Sequence, residues 1–337
     1  PYCHLTGALG AALTLRDEGI RASKFRGVGL HRETIPIQTE TCDLCTNHCK
    51  LSVARVQGET VAYGFLCGRD YETKRHVRNN TSGFDLGRER RQAFRPLPLQ
   101  PSGTELTVGI PAALHLFEDL PLWKGFFHGL GIRTVTSERY RDAVKEGRVL
   151  AEADLVAPMT ALYAHVQYHR DRCDVVFLPF YLEKKSQGKG ARRQLCYYTQ
   201  FAPSVGSGSP GQNGGGKVLN PLLFSLYGNL FTKAELYRAL RPLLPGGLSP
   251  FDVSTAFETA ARGMEEGLSR LKAVYRRETD GRDGFHVVLL GRPYTVLSGW
   301  MNKGIPETLA SMGVPVFYQD MLSYTPEDVA GIDSLLK

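Results

Sequence analysis

The second half of the chain alternates between short apolar runs and longer segments whose apolar residues recur every three or four positions. The runs LTVGIP from Leu106, IRTVTS from Ile132 and FHVVLLGRPY from Phe285 predict buried strands. The segment LHLFEDLPLWKGFFHGLG and the stretch from Phe251 to Arg277 predict helices. Strands that alternate with helices indicate a parallel sheet covered on both faces. We therefore predict an α/β fold of Rossmann-like lobes with flanking helices.

The same patterns divide the chain into four predicted parts. Residues 1–30 hold a short helix rich in glycine and alanine, with a linker. Residues 31–100 form a small cysteine-rich metal-binding subdomain that ends in a polar linker, RNNTSGFDLGRERRQAFRPLPLQPSG. Residues 101–245 form a first α/β lobe, and residues 246–337 a long helix and the start of a second lobe. Since the last part shows only two strands and the chain opens on Pro1, we expect a piece of a longer protein.

The cysteine-rich part carries the strongest chemical signal. LSVARVQ and ETVAYGFL alternate between apolar and polar residues and predict a β-hairpin, which would bring the last cysteine back toward the others. The spacing is Cys-x2-Cys-x3-Cys-x17-Cys, and the predicted metal ligands are Cys42, Cys45, Cys49 and Cys67. An odd total of seven cysteines, four of them clustered, is not typical of a disulfide framework. Thiolates suit both zinc and iron–sulfur clusters, and the spacing leaves the two open.

Composition narrows the class of protein. The chain has 337 residues, of which 42% are hydrophobic and 22% charged, as in ordinary globular proteins. No apolar stretch approaches the roughly 20 residues that a membrane-spanning helix needs. We therefore expect a cytoplasmic protein with no membrane partner. The formal net charge of +7 favours acidic partners, but the excess is spread along the chain, so nucleic acid is not expected to bind.

The end of one predicted strand offers candidate ligand-binding residues. In parallel α/β sheets, ligands bind beyond the carboxyl ends of the strands. The turn after HVVLL and the start of the following helix therefore supply the predicted cofactor-binding residues, which are Gly291, Arg292, Pro293, Tyr294, Asn302 and Gly304. The alternative is that these residues serve only as turn and cap.

A second glycine-rich segment is a near match to a phosphate-binding loop. GQNGGGKV resembles Gly-x4-Gly-Lys-[Ser/Thr], but Val218 stands where the hydroxyl that binds magnesium is required. Asn220 and Pro221 follow where a helix would begin, within VLNPLLF, which we predict to be one strand. We therefore predict a flexible insert and no ATP site.

Several long stretches together resemble the acyl-CoA dehydratase activase-related proteins. TGALGAALTL resembles the closing helix of the activase ATPase domain. CDLCTNHCKL with CGRD, VGIPAALHLFEDLPLWKGFFHGLG and VVLLGRPYTVLSGWMNKGIPETLASMGVPVF resemble the region that follows the fused ATPase domains. This family is related to the activators and components of 2-hydroxyacyl-CoA dehydratases and benzoyl-CoA reductases. The likeness spans nearly the whole chain.

The resemblance implies a role in an anaerobic redox system. There an ATPase drives one electron at low potential into a two-lobed partner, where an acyl-CoA is dehydrated or reduced. It implies a [4Fe-4S] cluster on the four cysteines and a CoA thioester as a further ligand. The alternative that the cysteine spacing leaves open is a module stapled by zinc that binds a protein or nucleic acid and has no redox activity. The partner implied is the activase ATPase domain, in the same chain or a separate subunit. Residues 1–30 would hold the tail of that domain. No catalytic residue is assigned, and this part alone is not expected to be catalytic.

The sequence departs from the family at a second set of cysteines. At two places where the family's cluster-bearing lobes carry cysteine, this chain has Val156 and Phe180. Cys196 remains at the third place, with Tyr197 in place of the family's proline. Because one thiol cannot hold a four-iron cluster alone, a second cluster in the α/β part is not supported.

Overall fold

Ten α-helices and twelve short strands make up the described part of the chain. The computed structural model describes residues 5–19, 26–42, 49–65, 71, 80–94, 104–140, 142–151, 155–184, 193–208, 217–224, 228–244, 246–281 and 284–324. The strands are β1 Ile37–Thr41, β2 Lys50–Val56, β3 Glu59–Tyr63, β4 Thr107–Ile110, β5 Arg133–Thr136, β6 Val175–Phe177, β7 Phe180–Lys184, β8 Arg193–Gln194, β9 Lys217–Leu219, β10 Leu222–Phe224, β11 Val287–Leu289 and β12 Val316–Tyr318. The helices are α1 Thr6–Asp17, α2 Leu86–Ala93, α3 Leu114–Gly129, α4 Ala143–Ala151, α5 Ala157–Arg170, α6 Tyr197–Gly208, α7 Gly228–Leu240, α8 Pro250–Thr279, α9 Pro293–Val296 and α10 Ile305–Ser311.

A parallel four-stranded sheet forms the centre of the fold, in the order β5-β4-β6-β9. Every residue of β4 is buried, which explains its continuous apolar run. Its Val108 lies between Thr134 of β5 and Val175 of β6. A second parallel pair, β11 and β12, follows near the end of the chain. The predicted α/β architecture with parallel strands and flanking helices is thus confirmed.

Helix α8 connects the cores of the two parallel sheets. Its first half contributes Val253 and Phe257 to the core around β4, and its second half contributes Leu271 and Val274 to the core around β12. The helix starts with a capping box, in which the Ser249 hydroxyl accepts the Asp252 N–H and the Asp252 carboxylate accepts the Ser249 N–H. The long helix predicted from Phe251 to Arg277 is confirmed.

The cysteine-rich part contains an antiparallel three-stranded sheet in the order β1-β2-β3. The predicted hairpin is confirmed by β2 and β3, which turn at Gln57 and Gly58 with φ of 51° and 86°. The third strand, β1, precedes the hairpin in a stretch with little periodicity. All its residues are exposed, so it has no alternating apolar pattern to reveal it.

The predicted polar linker after residue 78 is wrong in its middle, because α2 forms there. The carboxylate of Asp85 caps this helix by accepting the Arg88 N–H at 2.8 Å. Only Leu86 and Ala93 of α2 are buried, so the segment is short and mostly polar and resembles a linker in sequence. The helix is held by α8, where Arg270 Nε donates to the Ala93 carbonyl at 2.9 Å.

The predicted single strand VLNPLLF is also wrong, because it forms two strands in different sheets. Strand β9 pairs with β6, whereas β10 pairs with β7. Pro221 separates them and cannot donate a backbone hydrogen bond. Lys217 begins β9 rather than a helix, which agrees with the rejection of a phosphate-binding loop. In the described ranges, no helix combines the length and the apolar character needed to cross a membrane.

Helices α4 and α5 pack too closely to admit a side chain at Gly147. A Cβ at this position would lie 1.9 Å from the carbonyl oxygen of Thr160. We expect Gly147→Ala to lower the free energy of unfolding by about 2 kcal/mol or more, because the two helices must separate. Gly263, exposed on α8 with nothing within 4 Å of a Cβ, is the matched control. Gly263→Ala should instead stabilise the chain by about 0.5–1 kcal/mol through helix propensity. Urea unfolding of both variants checks this, and equal effects would contradict it.

Two buried histidines lie on the face of α5 that covers β4. A Cβ at Gly109 would lie 2.7 Å from ring and Cβ atoms of His169, so glycine in this strand makes room for the imidazole. His165 Nδ1 lies 2.8 Å from the Ser137 hydroxyl, which accepts the Ala112 N–H. Burial lowers the pKa of His165 to about 3 and that of His169 to about 4. Both rings are therefore neutral in the folded chain.

The neutral histidines make stability depend on pH below neutrality. Both pKa values lie below the unfolded value of 6.5, so the unfolded chain takes up protons first as the pH falls. We expect stability to fall from pH 6.5 toward pH 4, by up to about 1.4 kcal/mol per pH unit for each histidine. Urea midpoints across this range measure the slope. His169→Asn should flatten it, whereas His31→Asn, at an exposed position, should leave it unchanged. Equal slopes in all three chains would contradict the assignment.

Candidate functional site

The carboxyl ends of β4 and β6 lie side by side and mark a topological switch point. The chain leaves β4 toward β5 on one side of the sheet, and β6 and β9 follow on the other side. Ligand sites of open α/β sheets lie in the crevice at such a point. The segment after β4 enters α3 at Leu114, which has a positive φ of 48°, and presents His115. The segment after β6 leads to Tyr181.

His115 and Tyr181 belong to a polar cluster with little exposure. His115 Nδ1 lies 2.9 Å from Glu118 Oε1, and both side chains are largely buried. The Tyr181 hydroxyl accepts the Trp123 Nε1–H at 2.6 Å and is hydrogen-bonded to Asp119. Burial, with the Asp119 carboxylate as the next cause, raises the pKa of Tyr181 well above its ordinary value. The phenol is therefore a neutral hydrogen-bonding group.

Two of the sequence-predicted residues join this cluster from the other parallel pair. Tyr294, buried in α9, lies edge-on to the His115 ring with centroids 5.5 Å apart. Exposed Arg292 donates from Nη1 to the Tyr294 hydroxyl at 2.9 Å. This bond is the main reason that the pKa of Arg292 is raised, and the Cys196 sulfur adds to it. We call His115, Glu118, Tyr181, Cys196, Arg292 and Tyr294 the edge site.

The other predicted cofactor residues build the turn around the edge site. The Gly291 N–H donates to Gln319 Oε1 at 2.8 Å, which ties the ends of β11 and β12 together. Pro293 is the first residue of α9. Buried Asn302 donates from Nδ2 to the Val296 carbonyl and accepts the Gly304 N–H, each at 3.0 Å. These polar groups are therefore used within the turn, and their role in ligand binding stays a prediction.

Sequence reasoning missed the contributions of His115, Tyr181 and Cys196 to this site. The helical pattern around His115 indicated an ordinary core or surface residue. The rule that directed attention to the end of β11 applies equally to the ends of β4 and β6, and it would have found His115 and Tyr181. Cys196 lies near Arg292 only through the tertiary fold, so no local pattern indicates it.

The predicted metal ligands fall partly within the described residues. Cys42 and Cys49 directly follow β1 and directly precede β2, and the Cys42 N–H donates to the Cys49 carbonyl at 2.9 Å. Both cysteines are buried, against Leu51 and Val53. Cys45 and Cys67 lie outside the described residues. Within the described ranges alone, no three His, Cys, Asp or Glu side chains gather as a metal site would require.

The comparison with protein families shows which family this chain belongs to. Residues 107–322, well over half of the sequence, match the model of the CoA enzyme activase uncharacterised domain (DUF2229). The chain belongs to this family. The match confirms the resemblance to acyl-CoA dehydratase activase-related proteins. No curated protein and no solved structure matches the chain.

The CoA enzyme activase domain contains both parallel sheets and the whole edge site, whereas the four cysteines precede it. A cavity of about 750 Å³ lies at the opposite, amino-terminal edge of the central sheet, lined by Leu106, Asp174 and Leu248 among others. None of the sequence-predicted site residues lines it. We place the candidate site at the carboxyl edge, because the polar and cationic groups converge there.

We expect Asn302 and Arg292 to contribute differently to the stability of the CoA enzyme activase domain. Asn302→Ala leaves the Val296 carbonyl and the Gly304 N–H without their partner, so we expect a loss of about 2 kcal/mol in stability. Arg292→Ala removes an exposed side chain and should change stability by less than about 0.5 kcal/mol. Thermal and urea unfolding of the two variants measure the difference. A stable Asn302→Ala chain would show that the turn does not depend on this amide.

Proposed function

We propose that this chain is an iron–sulfur redox and scaffold module of an ATP-driven system that activates an acyl-CoA dehydratase or reductase. The observation that carries the proposal is the pair of buried cysteines, Cys42 and Cys49, placed at the ends of two paired strands and before a CoA enzyme activase domain. The partner in the proposal is the activase ATPase, in the same chain or as a separate subunit. ATP binding belongs to that partner.

The described part of the cysteine region fits a thiolate metal site. Cys42 and Cys49 are adjacent across the ends of two paired strands, and Cys45 lies in the segment between them. Strand β3 ends beside the start of β2, since a Cβ at Gly64 would lie 2.2 Å from the Lys50 carbonyl oxygen. Cys67 follows Phe65 by two residues in the sequence and lies outside the described residues.

The surroundings of the two thiols suit a cofactor that must be kept from water. Leu51, Val53 and Phe65 pack around them. Cys42, Cys45, Cys49 and Cys67 would hold a [4Fe-4S] cluster, which supplies one-electron transfer at low potential when bound. The same four sulfurs would hold zinc as a structural staple in the alternative, an interaction module without redox activity.

In this proposal the edge site binds the acyl-CoA. Arg292 is exposed, and among the described residues it interacts with the Tyr294 hydroxyl and the Cys196 thiol. Its guanidinium is therefore suited to pair with a phosphate. Behind it, His115 and the neutral Tyr181 are held by Glu118, Trp123 and Asp119, so they offer fixed hydrogen-bonding groups. A CoA thioester has both the phosphates and the polar acyl group for such an arrangement.

Metal analysis of anaerobically purified chain tests the redox part. We expect about four iron atoms per chain with sulfide and broad visible absorbance, because four thiolates are the ligand set of a [4Fe-4S] cluster. Cys42→Ser and Cys67→Ser should each lose the metal and loosen residues 42 to 70, since such a site contributes folding free energy.

Cys173→Ser is the matched control, because Cys173 is a buried core thiol beside His169. It should retain full iron content. One zinc with no iron would replace the redox proposal by the zinc-stapled module. Full metal in all three variants would show that the ligand assignment is wrong.

A further inference from the structure

Helix α6 has one face buried in the fold and one face that is aromatic and exposed. Thr199, Ala202 and Pro203 are buried. On the opposite side, Tyr197, Tyr198 and Phe201 are 76%, 53% and 57% exposed. Their spacing of one, three and four positions puts the three rings together on one helix face. We call these three residues the α6 aromatic face.

The α6 aromatic face adjoins the cation of the edge site. Cys196 directly precedes Tyr197, and the N–H of the residue before it, Leu195, donates to the Leu182 carbonyl at 3.1 Å, next to Tyr181 of the edge site. The Cys196 sulfur also interacts with Arg292. Helix α6 itself contains no charged residue. A ligand at Arg292 therefore meets neutral aromatic surface on this side, with no carboxylate from α6 to repel a phosphate.

We propose that the α6 aromatic face and Arg292 together bind a purine nucleotide, with the base on the rings and a phosphate on the guanidinium. Every nucleobase has a π-face that stacks on tyrosine or phenylalanine, and Arg pairs with phosphate. The helix backbone under the rings is fixed by its buried face, so little freedom is lost on binding. The occupant is the adenine nucleotide half of the CoA thioester, and in this respect the inference rests on the proposed function.

Charge complementarity favours this occupant over a docked protein segment. A purely apolar helix of a partner would use the three rings but leave Arg292 without a counter-charge. A nucleotide uses both features at once, because the Leu195–Leu182 hydrogen bond holds the start of α6 beside Tyr181 of the edge site. Docking of a protein on the same face is the outcome that the test must separate.

Calorimetry with the whole chain tests the inference with three probes: CoA, adenosine 3′,5′-bisphosphate and phosphopantetheine. We expect the double variant Tyr197→Ser with Phe201→Ser to weaken binding of CoA and of the bisphosphate by about tenfold or more. Binding of phosphopantetheine, which has no base, should not change. Arg292→Ala should weaken binding of the bisphosphate and reduce the salt dependence of that binding.

The matched control is Leu230→Ser with Phe251→Ser, which removes two apolar side chains of similar exposure, 81% and 77%, from other helices. It should leave all three affinities unchanged. Unaltered bisphosphate binding in the Tyr197 and Phe201 variant, or no bisphosphate binding at millimolar concentration, would overturn the inference. If the α6 aromatic face docks a protein instead, we expect no binding of the bisphosphate at millimolar concentration. Iron and sulfide measured on the same preparations report separately on the redox proposal, so the two can fail independently.

Discussion

Helices α3 and α8 pack so closely that only glycine and alanine fit where they touch, and the arrangement of both parallel sheets depends on that contact. A Cβ at Gly125 would lie 3.1 Å from the Cβ of Ala260, and one at Gly129 would lie 3.1 Å from the Cβ of Ala256. Helix α3 follows β4 directly, and α8 carries the core residues of the β11–β12 pair at its far end. The small residues therefore set how close the second pair lies to the first sheet.

This packing places two strand ends where their side chains meet. Tyr294 reaches the core of the first sheet from α9, and its ring touches His115 at the start of α3. Trp123 on the same helix fixes the Tyr181 hydroxyl through its indole N–H. The edge site is thus held by elements whose positions are set by buried aromatic packing rather than by loops. Its exposed members, Arg292 and Cys196, lie on the outside of a rigid frame.

The cysteine region and the edge site serve different parts of the proposed activity. Cys42 and Cys49 belong to the core of a small sheet with few buried residues, where a bound metal would add stability. The edge site belongs to a large apolar core that needs no such help. This difference agrees with the proposed roles, in which the small cysteine region transfers an electron and the edge site on the larger core binds the acyl-CoA.

The sequence by itself determined the α/β class, the β2–β3 hairpin, the long helix α8 and the family resemblance. These depend on local periodicity or on motifs that are contiguous in the chain. It also directed attention to Arg292 and Tyr294, because the rule for strand ends needs only the strand. Tertiary structure alone decided the rest. Helix α2 forms because α8 covers it. Strands β9 and β10 separate into two sheets. His115, Tyr181 and Cys196 reach Arg292 and Tyr294 only when α3 packs against α8. His115 and Tyr294, far apart in the chain, become neighbours there through buried contacts, and no pattern within a short window of sequence encodes such a meeting.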